Sequence, residues 1–355
     1  MLQAVWLTNV DSQVMNSRKN LAEGLQRLAK LGFNTIYPTV WQRGYTLYPS
    51  EVAKQLSGSS VLPHSPFEDR DVLAEIIELA QPLHLRVIPW FEYGLMVPPQ
   101  SLIAQNHRDL LTLNIDQDLQ RIQGANRQRD PNAWLNPCHQ QVRQFIVDLI
   151  TDVVQRYAVA GIQLDDHFSF PQELGYDRLT HQLFQQDRFG IECSIEHDNE
   201  IWIEWGAAQL TELLIQIVRS VKSVQNDCVI SIAPNPLKFS RTRYLADWQQ
   251  WYDLGLMDEL VLQVYRDRLD LFKLELNKPE VRAIRTKIPT LIGILTGLKT
   301  RSIDISTIES QVNAIVDRQF GGLSCFFYET LFHEQLSPEL VCRSKDRLLK
   351  IFGAI

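Results

Sequence analysis

The sequence predicts an α/β fold, a (β/α)8 TIM barrel forming a single domain over residues 1–355, with long insertions after the third and fourth strands. Three observations predict it. Eight short apolar segments, each followed by helix-forming sequence, succeed one another along 355 residues, an ordinary length for such a barrel. The segments are nearly continuous in apolar character, as strands covered by helices on both faces of a parallel sheet require. The rival, an open doubly wound sheet, lacks its glycine-rich turn. Thr8-Asn9-Val10-Asp11-Ser12 follows the first strand where G-x-G-x-x-G would stand, and no G-x-x-x-x-G-K occurs.

In chain order, residues 3–9 form the first strand. Ser17 starts a helix that reaches Leu31, with Leu21, Leu25 and Leu28 on one face and Gly32 as its stop. Residues 33–40 form the second strand, broken near its end by Pro38. A loop bearing Gly, Ser and Pro then runs from Trp41 to Pro66. A helix over residues 69–83 leads to the third strand, 85–92. Residues 93–138 have no strong period, and so long an excursion after a strand is usually functional or mobile. A helix over 139–158, with Val142, Phe145, Ile146 and Leu149 at helical spacing, precedes the fourth strand, 161–168. At least two helices fill 171–225. Strands follow at 228–234, 259–265, 288–295 and 322–328, with a short helix bearing Trp248 and Trp251, a helix over 304–319, and a final helix over 337–352.

Composition narrows the function. Net charge is −7, which argues against a nucleic-acid or anionic-membrane surface. No apolar run approaches the roughly 20 residues of a membrane span. Five cysteines (Cys138, Cys193, Cys228, Cys325 and Cys342) are scattered, with no C-x-x-C. A disulfide framework or structural zinc is therefore not expected, and buried reduced thiols are. No cofactor is expected. No signal peptide is visible. The chain reads as cytoplasmic as given, or as a cell-envelope protein whose leader has been removed.

The fourth strand carries the chemistry. Gly161-Ile162-Gln163-Leu164 leads into Asp165, Asp166, His167 and Phe168. Alternation puts Gln163 and Asp165 on one face and Ile162, Leu164 and Asp166 on the other. Adjacent acids at a buried strand end repel and resist desolvation, which raises a pKa and suits acid–base work. The plain alternative is a helix cap, which needs one Asp and not two.

The other strand ends are also polar and aromatic: Trp6, Thr8 and Asn9; Tyr37, Thr39 and Trp41, with Arg43 beyond; Trp90, Glu92 and Tyr93; Asn235; Gln263, Tyr265 and Arg266; Tyr328 and Glu329. The seventh end, Leu295-Thr296-Gly297, is plain. Aromatic faces stack on sugars, and amides and acids bind hydroxyls, so a carbohydrate cleft is expected. Glu92 is the candidate third acid. Glu329 is either another or the ion-pair partner of Arg266. Gln163 and His167 join the lining, His167 as a donor to substrate. A zinc-type site built on Asp165-Asp166-His167 is the minor alternative, because the histidines form neither H-x-H nor H-x-x-x-H.

These segments resemble a known family. AVWLTNVDS at 4–12, FNTIYPTVWQRGYTLYPS at 33–50, WLNP at 134–137, GIQLDDHF at 161–168, ISIAPNP at 230–236 and QVYR at 263–266 are together similar to the glycosyl hydrolase-like family 10 proteins, their cyanobacterial branch especially. IGILTGL at 292–298 and FFYE at 326–329 continue the pattern. The resemblance implies a barrel with glycosidase activity on bacterial cell-wall glycan, in particular peptidoglycan strands stripped of peptide. It places the family's acid pair on Asp165 and Asp166, and through WLNP it adds Asn136 to the lining.

The same strand looks like that of chitinases, but their terminal Glu is His167 here and their first Asp is Gln163. Adjacent acids at this strand end are similar to those of hexosaminidases that use the substrate's own N-acetyl group. The expected function is hydrolysis of a glycan containing N-acetylhexosamine, with Asp165, Asp166 and Glu92 catalytic. Two alternatives stand beside it, a non-catalytic glycan-binding barrel and a metal-dependent carbohydrate hydrolase or deacetylase. The bond cut and the oligomeric state are not legible.

Overall fold

The computed structural model describes residues 1–123, 128–187, 199–332 and 347–353. Its centre is an all-parallel sheet with β1 (Leu2–Leu7), β2 (Thr35–Pro38), β3 (Arg86–Val87 and Trp90–Phe91), β4 (Gly161–Asp165), β5 (Val229–Ala233), β6 (Glu259–Gln263), β7 (Thr290–Leu295) and β8 (Gly322–Phe326). The two pieces of β3 are halves of one strand interrupted at Ile88-Pro89. They occupy opposite ends of the hydrogen-bonded order, one half beside β2 and the other beside β4. Ala160 N–H donates to Val87 O, Gln163 N–H to Pro89 O and Val40 N–H to Trp90 O. The sheet therefore closes on itself as an eight-stranded barrel. A proline tolerates this position because it spends only its carbonyl there.

Alternation within each strand makes two cores. Ala4, Trp6, Tyr37, Ile88, Trp90, Ala233, Val261, Leu291 and Phe327 fill the barrel interior. Val5, Leu7, Ile36, Ile162, Leu164, Ile230, Ile232, Leu260 and Leu262 face outward into a second, larger core under the helices. Each fully buried side chain of this size contributes about 1.5–3 kcal/mol.

The helices begin where the capping residues say. The Ser17 hydroxyl accepts from Asn20 N–H at 3.0 Å to open α1 (Arg18–Lys30), and Asp71 does the same for α2 (Val72–Ala80). α3 (Gln140–Arg156), α4 (Glu200–Val224), α5 (Trp248–Asp253), α6 (Leu269–Leu276) and α7 (Ile305–Val316) complete the main outer layer. No described helix is long and apolar enough to cross a membrane.

Two stretches differ from expectation. The loop after Trp41 contains a hairpin, Trp41–Gln42 against Tyr45–Thr46, and a helix, Glu51–Ser57, capped by Ser50. Two-residue strands are too short to show a period, and Arg43 and Gly44 make the turn at positive φ. The excursion at 93–138 is stitched by Met96–Val97 pairing with Ala133–Trp134. Most of the expected final helix lies outside the described residues. Its described end buries Leu348, Ile351 and Phe352, and Gln3 Nε2 donates to Phe352 O at 3.0 Å. Cys138, Cys228 and Cys325 are buried and free, while Cys193 and Cys342 lie outside the described residues.

Candidate active site

At the C-terminal mouth of the barrel is a cavity of about 260 Å³ lined by Trp6, Trp90, Glu92, Asp165, Asp166, His167, Asn235, Gln263, Tyr265 and Phe326. This is the face where barrels carry chemistry. Its floor is aromatic. Trp6 packs against Trp90 and Phe326 with ring centres 6.2 and 6.0 Å apart, and Tyr265 lies 5.6 Å from Phe326. Trp6 is pinned by its indole N–H, which donates to Gln163 Oε1 at 2.7 Å, and Gln163 in turn donates to Ser231 Oγ.

β4 delivers the acids. Asp165 ends the strand above Gln163 on the interior face, as alternation requires. The chain then turns, so Asp166 also reaches the cavity and not the outer face that strand periodicity assigns it. No helix starts here; Phe168 N–H closes the turn onto Asp165 O at 3.0 Å. Asp165 accepts from Gln263 Nε2 at 2.7 Å, and Asp166 from Asn235 Nδ2 at 2.5 Å. His167 Nδ1 lies 2.9 Å from Glu92 O, 3.3 Å from Asp165 Oδ2 and 3.5 Å from Asp166 Oδ1. All three partners are acceptors, so Nδ1 carries a proton. On the neighbouring strand, Glu92 continues the register that pairs Trp90 with Gln163 and so stands beside Asp165; its Oε2 accepts from Thr39 at 2.9 Å and from Thr8 at 3.3 Å.

Glu92 and His167 are half-buried in the cavity wall. Burial accordingly pushes Glu92 up to about 7, against the Thr39 hydrogen bond and the charge of His167. Burial, and then the charge of Asp166, hold Asp165 above the usual carboxylate range. Burial opposes charge on His167, but Asp166 and Asp165 outweigh it and push its pKa up to about 10. The site at neutral pH thus holds an imidazolium next to the aspartate pair, with Asp165 and Glu92 both shifted by burial toward the protonated form.

Asp165, Asp166 and His167 offer ligand atoms within 4.8 Å of one another, the spacing of a metal triad. Nδ1, however, is aimed at the backbone oxygen of Glu92 at 2.9 Å, a contact it would have to give up to ligate an ion. The residues fit a proton-handling site better than a metal centre.

The description "Glycosyl hydrolase-like 10" fits residues 1–314 of the chain. The chain belongs to that family. Among curated relatives, glycosyl hydrolase DigH of Escherichia coli K12 is 22% identical over 299 residues, 74% of this chain and 62% of that protein. Glycosyl hydrolase YngK of Bacillus subtilis 168 is 23% identical over 292 residues, 74% and 54% respectively. The chain thus spans less than two thirds of the length of these relatives. In three dimensions it is similar to the PgaB (BpsB) glycoside hydrolase domain of Bordetella bronchiseptica. The TM-score is 0.68 at 14% identity, over 98% of this chain and 99% of that one. The fold is that of a glycoside hydrolase barrel.

This glycosyl hydrolase-like 10 barrel gathers nine of the candidates read from the sequence: Trp6, Trp90, Glu92, Asp165, Asp166, His167, Asn235, Gln263 and Tyr265. Others are built into the scaffold. Gln163 lies beneath Trp6. Tyr37 is wholly buried and donates to Glu259 Oε1 at 2.9 Å. Trp41 donates its indole N–H to Gly94 O and packs on Phe145. Asn136 ties the long excursion to Asp177 and Thr180. Tyr328 packs beside Gly24 of α1 and Phe332. Glu329 accepts from Ser12 Oγ and the N–H groups of Gln13 and Val14, because a helical turn starts straight after β8 and swings it sideways. Arg266 pairs with Glu275 instead. Asn9 bonds Gln42 at the rim, and exposed Arg43 acts on Glu92 only through its charge.

Thr8 and Thr39 stand out in the sequence only as polar strand ends, and Phe326 does not stand out at all. Thr8 and Thr39 hold Glu92, and each sits two residues beyond an inward aromatic, so the period-2 pattern marks them. Phe326 ends β8, where the tyrosine two residues later drew attention instead.

Proposed function

We propose that this barrel hydrolyses a glycan containing N-acetylhexosamine, peptidoglycan strands freed of peptide being the substrate class. The observation that carries the reading is the grouping of Glu92, Asp165 and Asp166 around one aromatic-floored cavity with room for a single sugar ring. Family membership and the sequence resemblance to cell-wall glycosidases support it.

Glu92 is the general acid: its free carboxyl oxygen donates a proton to the glycosidic oxygen as the bond to the anomeric carbon breaks. A carboxyl group titrating near 7 is suited to that transfer. Asp166, oriented by Asn235 and His167, lies where a carboxylate stabilises positive charge growing on the sugar ring, or holds an acetamido group that attacks from within. Asp165 has one oxygen bonded to Gln263 and the other to His167, so it positions the imidazolium.

The test is fragment release from peptide-free peptidoglycan strands and chitin oligomers, followed by mass spectrometry. Glu92→Gln and Asp166→Asn are each expected to lower kcat by about 10²–10⁴-fold. The kcat/KM profile should fall as pH rises through about 7, where Glu92 loses its proton. A wild type that releases nothing, or two variants at full rate, would sink the assignment.

A further inference from the structure

Most polar atoms around the cavity are already engaged. The Trp6 indole is spent on Gln163, both Asp165 oxygens on Gln263 and His167, and Asp166 on Asn235 and His167. Open groups remain on Glu92, on the Trp90 indole and at the end of β6. Gln263 Nε2 donates to Asp165 Oδ1 and to Ala233 O, each at 2.7 Å. An amide nitrogen has two hydrogens, so none remains. These bonds fix which way the amide faces, and Oε1 is the atom Gln263 has left for the cavity it lines. Two residues on, the Tyr265 hydroxyl has no hydrogen-bond partner among the described residues, while Phe326 holds its ring. An acceptor and a donor thus stand two positions apart, the spacing that repeats one face of an extended chain.

We propose that Gln263 and Tyr265 together recognise an amide on the bound sugar, namely a 2-acetamido group, Gln263 Oε1 accepting its N–H and the Tyr265 hydroxyl donating to its carbonyl. This rests on the reading of the cavity as a sugar site. An acetamido group offers one donor and one acceptor and satisfies both residues at once. A hydroxyl carries its donor and acceptor on a single oxygen, whereas an amide places them on two atoms that reach two separate partners, and an ammonium group has no acceptor for Tyr265. Burial, and then the charges of Asp165 and Asp166, push the phenol's pKa well above its ordinary value, so at neutral pH it is a donor. The acetamido carbonyl held there lies on the side of the cavity that carries the aspartate pair.

The experiment is calorimetry at neutral pH with chitin oligomers, the same oligomers de-N-acetylated, and cello-oligomers of equal length, on the wild type and on Tyr265→Phe. The wild type is expected to bind chitin oligomers about tenfold or more tighter than cello-oligomers. Tyr265→Phe should cut the chitin affinity about tenfold and leave the cello affinity unchanged, since one hydrogen bond is worth about a factor of ten. Equal binding of acetylated and cello-oligomers by the wild type overturns the pair. Tighter binding of the de-N-acetylated form does so too, as does a Tyr265→Phe loss shared by all sugars. Wild-type protein that binds none of the three overturns the sugar-site reading itself, and the pair with it. The wild-type preference needs no variant, so poor folding of Tyr265→Phe does not protect the proposal.

Discussion

Glu92 shows how a single side chain links chemistry to stability. Its folded-state pKa of about 7 stands above the ordinary 4.5. Between those values the folded chain holds a proton that the unfolded chain has released. Stability is therefore fully present below about 4.5 and falls as pH rises toward 7. Glu92→Gln removes that titration and keeps an acceptor for Thr8 and Thr39. Urea denaturation should show the variant more stable than wild type by about 1–3 kcal/mol at pH 8 and equal to it at pH 4. A gain at both pH values would mean that packing, not charge, is responsible. His167 adds a second decline at higher pH: its stabilisation is intact below about 6.5 and is lost as pH rises through about 10. The Glu92 variant should retain that decline.

At the scale of elements, the site depends on the seam between the end of β3 and the turn after β4. Gly94 sits at φ +48°, and a Cβ there would meet Phe168 N at 2.4 Å and His167 O at 2.5 Å. Leu95 N–H donates to His167 O on the same seam. Only a glycine lets the two backbones come this close. Gly94→Ala should cost about 1–3 kcal/mol and also slow catalysis well below the denaturation midpoint, because the turn that aims Asp166 and His167 must shift. Gly58 is the control. It too is at positive φ, at the end of the Glu51–Ser57 helix, but a Cβ there meets only Leu102 at 3.7 Å. Gly58→Ala should lose about 1 kcal/mol with no change in rate. Thermal unfolding and initial rates on both variants check this. Equal rate effects would show that Gly94 acts only through global stability.

Across the whole molecule, the barrel separates work by end. β6 runs from Glu259 through Val261 to Gln263, all buried. Glu259 accepts from Tyr37 and pairs with Arg86 at 3.5 Å at the far end of the strand from the cavity. Arg86→Met should destabilise by about 1–3 kcal/mol, less than a fully sealed pair because Arg86 is partly open to water. It should leave kcat unchanged, as denaturation and rate assays will show. The eight strands, the capped helices and the acid pair were legible in the residues, since alternation, capping and burial are local rules that each segment obeys by itself. Glu329 and Trp41 looked like strand-end site residues by the same local rules. Where they point depends on the turn that follows, and turns answer to backbone neighbours far away in sequence. The chain alone settled a barrel with paired aspartates at one strand end. Only the pairing of β3 with β4 brought Glu92, 73 positions before Asp165, beside that pair, and only the closed barrel left a cavity over all three. Its carboxyl retains a proton near neutrality because dehydration is a property of the assembled enclosure, which no stretch of sequence possesses.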